Sequence, residues 1–418
     1  MKKHLFLFFW IFVFFSCTGE RTNNDDQANM EDLGFEEFPI LAWIGVPEGE
    51  TTVERFKELK ESGININFSV YSNIEAVEKA LDVAQEAGVK LLLYCPELST
   101  DPEETARRLM KHPALMGYHL RDEPSALAFP QLAEWIKKIQ SVDKEHGCYI
   151  NLFPNYANKE QLFGNIEIDR ERDVYAQHVE VFLKEVPVPF ISFDHYPVIE
   201  TNGVRTLRAE WYKNLEIISE ASRNSGLPFW AFALAIAHKP YPIPTLAELR
   251  LQMFSNLAYG AQTLQYFTYW HPGENPTWDF HDSPIDLDGK RTIVYDLIKT
   301  VNSEIHSLAP IFLGSEVISV CHTGEQLPME THPLKNLPKS IKTLKTGGIG
   351  AIVSVLKKGD QRFLVIVNRD FQNKMELNIS TDKTVRKVLK NGKIAKLNNY
   401  SEEVIIDPGD LMIYTWKE

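Results

Sequence analysis

A chain of 418 residues, 44% of them hydrophobic, has material for one large domain and a smaller one, each with a buried core. Its formal net charge of −13 speaks against a nucleic-acid partner, which requires a basic face, and suits a neutral substrate at least as well. Once Cys17 is set aside, Cys95, Cys148 and Cys321 are too few and too scattered for a disulfide framework and read as core thiols.

At the N-terminus Lys2 and Lys3 precede an apolar run over 5–15, then Ser16, Cys17 and a polar, acidic stretch. The run is too short to span a bilayer and reads as a signal peptide. A small residue before Cys17 is similar to the lipobox of bacterial lipoproteins, although Phe14 and Phe15 depart from its usual pattern. The expectation is a lipoprotein signal peptide over 1–17, with Cys17 lipidated and the chain anchored in the cell envelope, at the outer membrane. Cleavage to a free secreted protein is the alternative. Residues 18–36, rich in Asn, Asp and Glu, are expected to be a flexible tether.

From Pro39 short apolar runs alternate with amphipathic stretches, the rhythm of βα units in a parallel sheet. The spacing predicts strands over 40–46, 64–71, 90–94, 115–120, 148–153, 190–193, 228–236 and 261–270. Helices are predicted over 53–62, 74–87, 102–111, 131–145, 175–186, 206–224, 246–259 and 292–308. Gly63, Gly88, Gly147, Gly226 and Gly260 stand near the helix-to-strand turns, where a left-handed residue ends a helix. Eight such pairs within 37–310 make an α/β (β/α)8 TIM barrel. Beyond Pro310 the period changes to two, with strands predicted over 351–356, 362–367, 375–379 and 404–406. Residues 311–418 are therefore expected to form a small C-terminal antiparallel β-sandwich domain, a stabilising appendage without assignable chemistry.

The most informative stretch is His119-Leu120-Arg121-Asp122-Glu123-Pro124-Ser125, which ends the fourth strand with two adjacent carboxylates. Pro124 stops the ladder because it lacks an N–H. The carboxyl end of a barrel strand is where chemistry sits, and a partly dehydrated carboxyl there can deliver a proton near neutrality. The competing reading is helix capping by Asp122 and Glu123. The same strand ends are expected to gather Trp43, Tyr71, Tyr94, His119, Asn151, His195, Tyr196, Tyr269, Trp270 and His271 as an aromatic, substrate-binding bowl. Sugars lay C–H faces on aromatic rings and pair hydroxyls with Asp, Asn, His and Tyr, so a carbohydrate substrate fits this composition, with no cofactor. Asp194, ending the sixth strand, is the second acidic candidate across from Glu123. A structural pairing with His195 or Arg121 is its alternative. Glycoside hydrolysis uses two carboxyl groups, about 5 Å apart for retention and about 6.5–9.5 Å for inversion.

The eight-strand layout, the Asp122-Glu123-Pro124 ending of strand four, Tyr196 after strand six, Trp270 after strand eight and Asp288-Gly289-Lys290 before the last helix together resemble clan A barrel glycoside hydrolases, including family 42 β-galactosidases. The resemblance implies that Glu123 is the general acid/base and that Tyr196 and Trp270 line the subsite of the cleaved sugar. Asp122 stands where that clan has Asn. Strand seven, Pro228 to His238, carries no acid where the clan has its nucleophilic Glu. Three explanations follow: Asp194 takes the second role; or a substrate acetamido group attacks, steadied by Asp122, as in N-acetylhexosaminidases with an Asp-Glu pair; or the barrel is an inactive glycan-binding surface lipoprotein. A metal-dependent barrel hydrolase would use His119, His195, His238 and His271 with Asp122 and Asp194. Strand one offers no His-x-His, and no His-Glu-x-x-His occurs, so no metal is expected. A Gly-x-Ser-x-Gly elbow is also missing from the sequence.

Overall fold

The computed structural model describes residues 37–418 and the backbone of Glu31–Asp32. The expected signal peptide, Cys17 and most of the 18–36 segment lie outside the described residues. Glu31–Asp32 pairs antiparallel with Lys393–Ile394, so this part of the expected tether lies along a sheet edge.

Eight parallel strands close into a barrel: β1 (Ile40–Trp43), β2 (Ile66–Val70), β3 (Lys90–Tyr94), β4 (Leu115–Asp122), β5 (Gly147–Leu152), β6 (Ile191–Phe193), β7 (Phe229–Leu234) and β8 (Thr263–Phe267). The strands are apolar runs because both faces are buried. Leu41, Trp43, Phe68, Leu92, Trp230 and Phe232 fill the interior, whereas their neighbours Ile40, Ala42, Leu91, Leu93, Ala231 and Ala233 pack on the surrounding helices. The helix Ile74–Ala87 illustrates how the outer layer is fixed: Asn73 accepts from the Ala76 amide, Val77, Leu81 and Ala84 are buried, and Gly88 closes the helix at φ 69°. Between β4 and β5 the backbones approach so closely that a Cβ on Gly117 would lie 2.4 Å from the Gly147 carbonyl oxygen.

Two predicted helices differ by five residues at one end, and the one expected over 131–145 ends at Gln140, well ahead of Gly147, which lies in β5. The helix expected over 206–224 starts only at Trp211, because Val198–Thr201 and Val204–Leu207 form a hairpin above β6. Its turn is Asn202-Gly203, both at positive φ (53° and 77°), the residue pair that a tight two-residue hairpin demands.

C-terminal to the helix Ile293–Phe312 the chain forms two antiparallel sheets. β9 (Glu316–His322), β11 (Ala351–Lys358), β12 (Gln361–Asn368), β14 (Arg386–Val388), β15 (Lys393–Lys396) and β17 (Leu411–Lys417) share the larger sheet with Glu31–Asp32, and β10 (Ile341–Lys345), β13 (Met375–Thr381) and β16 (Ser401–Ile406) form the smaller one. Alternation sorts the faces. Val353, Val355, Leu364 and Ile366 meet Leu377 and Ile379 of the small sheet, while Ile352, Leu356, Phe363 and Val365 join the core of the barrel. The expected sandwich is therefore present, and its larger sheet rests on the barrel.

Candidate active site

The first feature of the site is a bulge. Gly117 and His119 of β4 point into the barrel, so strict alternation would aim Arg121 inward and Asp122 at the helices. Pairing with β5 slips between His119 and Arg121, leaving Leu120 as the extra residue, and Asp122 then stands opposite Asn151. One inserted residue thus turns Asp122 and Glu123 toward the mouth. Glu123 follows at φ 44°, a left-handed conformation that costs a non-glycine residue energy, and its amide is held by the Asn151 carbonyl at 2.8 Å. Ile44, just after β1, is likewise at φ 46°. Such outliers cluster where strain serves a site. Neither carboxylate caps a helix: the helical turns that follow Pro124 have no side-chain cap.

Inward parity on β5 and β6 supplies the opposite wall. Tyr149 and Asn151 alternate on β5 with Phe153 following, and Ser192, Asp194 and Tyr196 continue the inward row of β6. These side chains form a buried chain of hydrogen bonds. Tyr149 donates its hydroxyl to Gln265 Oε1 (2.6 Å), Gln265 Nε2 donates to Ser192 Oγ (2.9 Å), and Ser192 donates to Asn151 Oδ1 (2.9 Å). With its oxygen engaged, the Asn151 amide can only donate outward. It meets Asp194 Oδ1 at 2.9 Å and Asp122 Oδ1 at 3.2 Å, bridging the two aspartates.

Three carboxyl groups in one hollow cannot all be ionised cheaply. Burial first, and then the charges of Asp194 and Asp122, push Glu123 up to about 9. Burial, with Asp122 beside it, pushes Asp194 up to about 7 against the opposing Asn151 hydrogen bond. Asp122 is also raised by burial, although its side chain is open to solvent at the mouth, while Asp194 is only 8% exposed. Among the described residues no side-chain hydrogen bond holds the Glu123 carboxyl. Its raised pKa favours the protonated form at neutral pH.

The cavity these groups share has a volume of about 570 Å³. Its wall includes Trp43, Asp122, Glu123, Asn151, Asp194 and Tyr196 of the residues expected from the sequence. The other expected residues lie off that wall. His119 is half-buried inside the barrel against Phe68, Trp43 and Tyr149, with Tyr94 edge-on to its ring at 6.4 Å, and desolvation pushes it down to about 3, so it is neutral. Tyr71 follows β2 with outward parity and is buried among the helices. His195, with outward parity after β6, faces Asn214 at 3.2 Å. The inward row of β8 is Gln265 and Phe267; because the strand ends there, Tyr269 turns to pack on Tyr295 and Trp270 lies under the Arg55 guanidinium. His271 braces its loop, one ring nitrogen on the Phe280 carbonyl at 2.9 Å and the other on the Gly273 amide. Among the described residues no group of three or more His, Cys, Asp and Glu stands ready to hold a metal ion.

Much of the wall comes from residues that strand counting does not reach: Tyr156 after β5, Arg208 after the hairpin, Tyr241 after β7, and Trp278 and Phe280 after β8. The available signal is connection length, because the segments after β5 to β8 are long and aromatic, and long loops at this end of a barrel build sites. The β7 wall carries Phe232 and no acid. Glu248 serves the fold: it closes a capping box with Thr245 and pairs with Arg205 at 2.9 Å.

No family model matches the sequence, and no curated protein matches it. Among solved structures the chain is similar to a β-galactosidase from Bacillus circulans sp. alkalophilus, at 9% identity and TM-score 0.57, over 91% of this chain and 99% of that one. It is equally similar to a catalytic mutant of a GH42 β-galactosidase from G. stearothermophilus, at 9% identity and TM-score 0.59, over 93% and 99%. The likeness is one of fold. It extends through both the barrel and the C-terminal sheets. A β-galactosidase from the psychrophilic Marinomonas ef1 aligns at 12% identity and TM-score 0.47 over 66% of this chain, which spans 60% of that enzyme's length.

Proposed function

We propose that this protein is a glycoside hydrolase in which Glu123 is the general acid and Asp194 the second carboxyl group. The observation that carries the reading is a carboxyl raised to about 9, sharing an aromatic-walled cavity with Asp194. Trp43, Tyr196 and Phe232 offer rings to the C–H faces of a sugar. Glu123 passes its proton to the glycosidic oxygen as the C–O bond breaks, and Asp194, once ionised, meets the anomeric carbon directly or through a water. Asn151 holds Asp194 in place through the buried Tyr149, Gln265 and Ser192 network. The likeness to β-galactosidases in fold supports the class of reaction and leaves the sugar and linkage to experiment.

One observation favours a second reading. The bulge in β4 brings Asp122 to the cavity beside Glu123, while the β7 wall has no carboxyl. That arrangement suits substrate-assisted cleavage of N-acetylhexosaminides, with Asp122 steadying the acetamido group. A panel of nitrophenyl glycosides separates the two: activity confined to N-acetylhexosaminides and blocked by a thiazoline analogue selects the second, and activity on simple hexosides selects the first. No turnover of any glycoside by the parent would refute both and leave a glycan-binding protein. We further infer a lipid anchor at Cys17, which Cys17→Ser would abolish, moving the protein from the detergent to the aqueous phase.

A further inference from the structure

The cavity wall bears a single Arg or Lys among the described residues, Arg208, and nothing in the acid machinery uses it. What raises Glu123 is burial and two aspartates, with no cation offsetting them. Arg208 is set in place from several sides. Its amide donates to the Pro197 carbonyl at 2.8 Å, tying it to the base of the hairpin above β6. Its guanidinium lies 4.5 Å over the Tyr156 ring and 5.7 Å from that of Tyr241, and Nη2 donates to the Tyr241 hydroxyl at 3.1 Å. Its nearest carboxylate partner, Glu210, stands 3.8 Å from Nη1, beyond hydrogen-bond reach. Nε is buried with no partner. A guanidinium has five N–H donors in a planar fork, and here most are left without an acceptor.

A cation held between two aromatic rings, oriented and under-used, is preorganised for an oxyanion. We propose that Arg208 recognises an anionic substituent, a carboxylate or a sulfate, on the sugar bound in this cavity, so that the substrate is a uronic-acid or sulfated glycan. The inference rests on the glycosidase reading of the same site. Protonation of Glu123 lowers the negative charge that such a sugar meets, and the anionic group would bind on the β6 side of the hollow, with the glycosidic oxygen toward β4.

Calorimetric titration of the full chain with galacturonate, glucuronate, galactose 6-sulfate and neutral galactose and glucose tests this without requiring turnover. At least one anionic sugar should bind roughly 10- to 100-fold tighter than its neutral counterpart, the discrimination expected of charge-assisted hydrogen bonds. Whether the uronates or the sulfate bind identifies the substituent. Arg208→Met should remove the preference and Arg208→Lys keep part of it, and added salt should weaken only the anionic ligands. Salt dependence in the parent keeps the test decisive if Arg208→Met fails to fold. Equal affinity for anionic and neutral sugars, no binding of any anionic sugar, or a preference unchanged in Arg208→Met would overturn the proposal. Glu123-dependent hydrolysis of neutral glycosides alongside such a result would leave the glycosidase reading standing. A charge-dependent preference in a protein that hydrolyses nothing would instead remove that reading and keep Arg208.

Discussion

Asp194→Asn should make the protein more stable, and increasingly so as pH rises. The buried Asp194 carboxyl is pushed up from 3.8 to about 7, so the folded chain holds this proton more tightly than the unfolded chain does. Unfolding therefore releases it between those two values, and the native state loses stability as pH climbs from about 4 to about 7, after which the loss levels off. At about 1.4 kcal/mol per pKa unit, a shift of this size sets a ceiling of about 4 kcal/mol. Asp122 adds to the burial that raises Asp194, and Asp194 to that which raises Glu123, so a single replacement should recover about half of it. Asparagine fits the site, since its carbonyl oxygen can take the Asn151 amide now given to Asp194 Oδ1 at 2.9 Å. Urea unfolding followed by tryptophan fluorescence at pH 4 and pH 8 measures the effect. The variant should match the parent within about 1 kcal/mol at pH 4 and exceed it by about 2 kcal/mol at pH 8. A variant less stable than the parent at pH 8, or a difference that does not change with pH, would refute the argument that this cluster is charge-strained.

Glu123→Gln should lower kcat by about 10²- to 10⁴-fold on the best substrate of a glycoside panel, with binding of that substrate retained. The pH–rate profile should be bell-shaped, its acid limb near 7 where Asp194 must lose its proton and its alkaline limb near 9 where Glu123 loses its own. Asn151→Ala removes the hydrogen bond that holds Asp194 down, so the acid limb should move to higher pH while circular dichroism stays unchanged. Gly409→Ala should cost on the order of 1–3 kcal/mol in thermal or urea unfolding, because a Cβ there, at φ 68°, would sit 2.1 Å from the Ala247 carbonyl where the C-terminal domain meets the barrel.

The barrel is readable in the sequence because strands buried on both faces become apolar runs of a length that little else explains; Lys90–Tyr94 and the helix Ile74–Ala87 have the bounds their spacing predicts. Side-chain direction is harder. Ending a strand places a residue at the mouth, but only parity says whether it faces the hollow or the helices, and parity depends on where the strand stops and whether it bulges. Tyr71 and His195 fall on outward positions, and β8 ends before Tyr269 and Trp270. At β4 the Leu120 bulge works the other way, since unbroken alternation would have sent Asp122 outward. The hairpin at 198–207 has a signal in Asn202-Gly203, which lies outside the helix predicted from 206. Arg208 owes its position to that hairpin, which is why no strand-end count reaches it.

A proton on the Glu123 carboxyl at neutral pH is what the whole account requires. An infrared difference spectrum at pH 7, parent minus Glu123→Gln, observes it directly. The account predicts a protonated-carboxyl band present in the parent, missing in the variant and fading as pH passes about 9. A spectrum in which Glu123 contributes only an ionised carboxylate at pH 7 would contradict it.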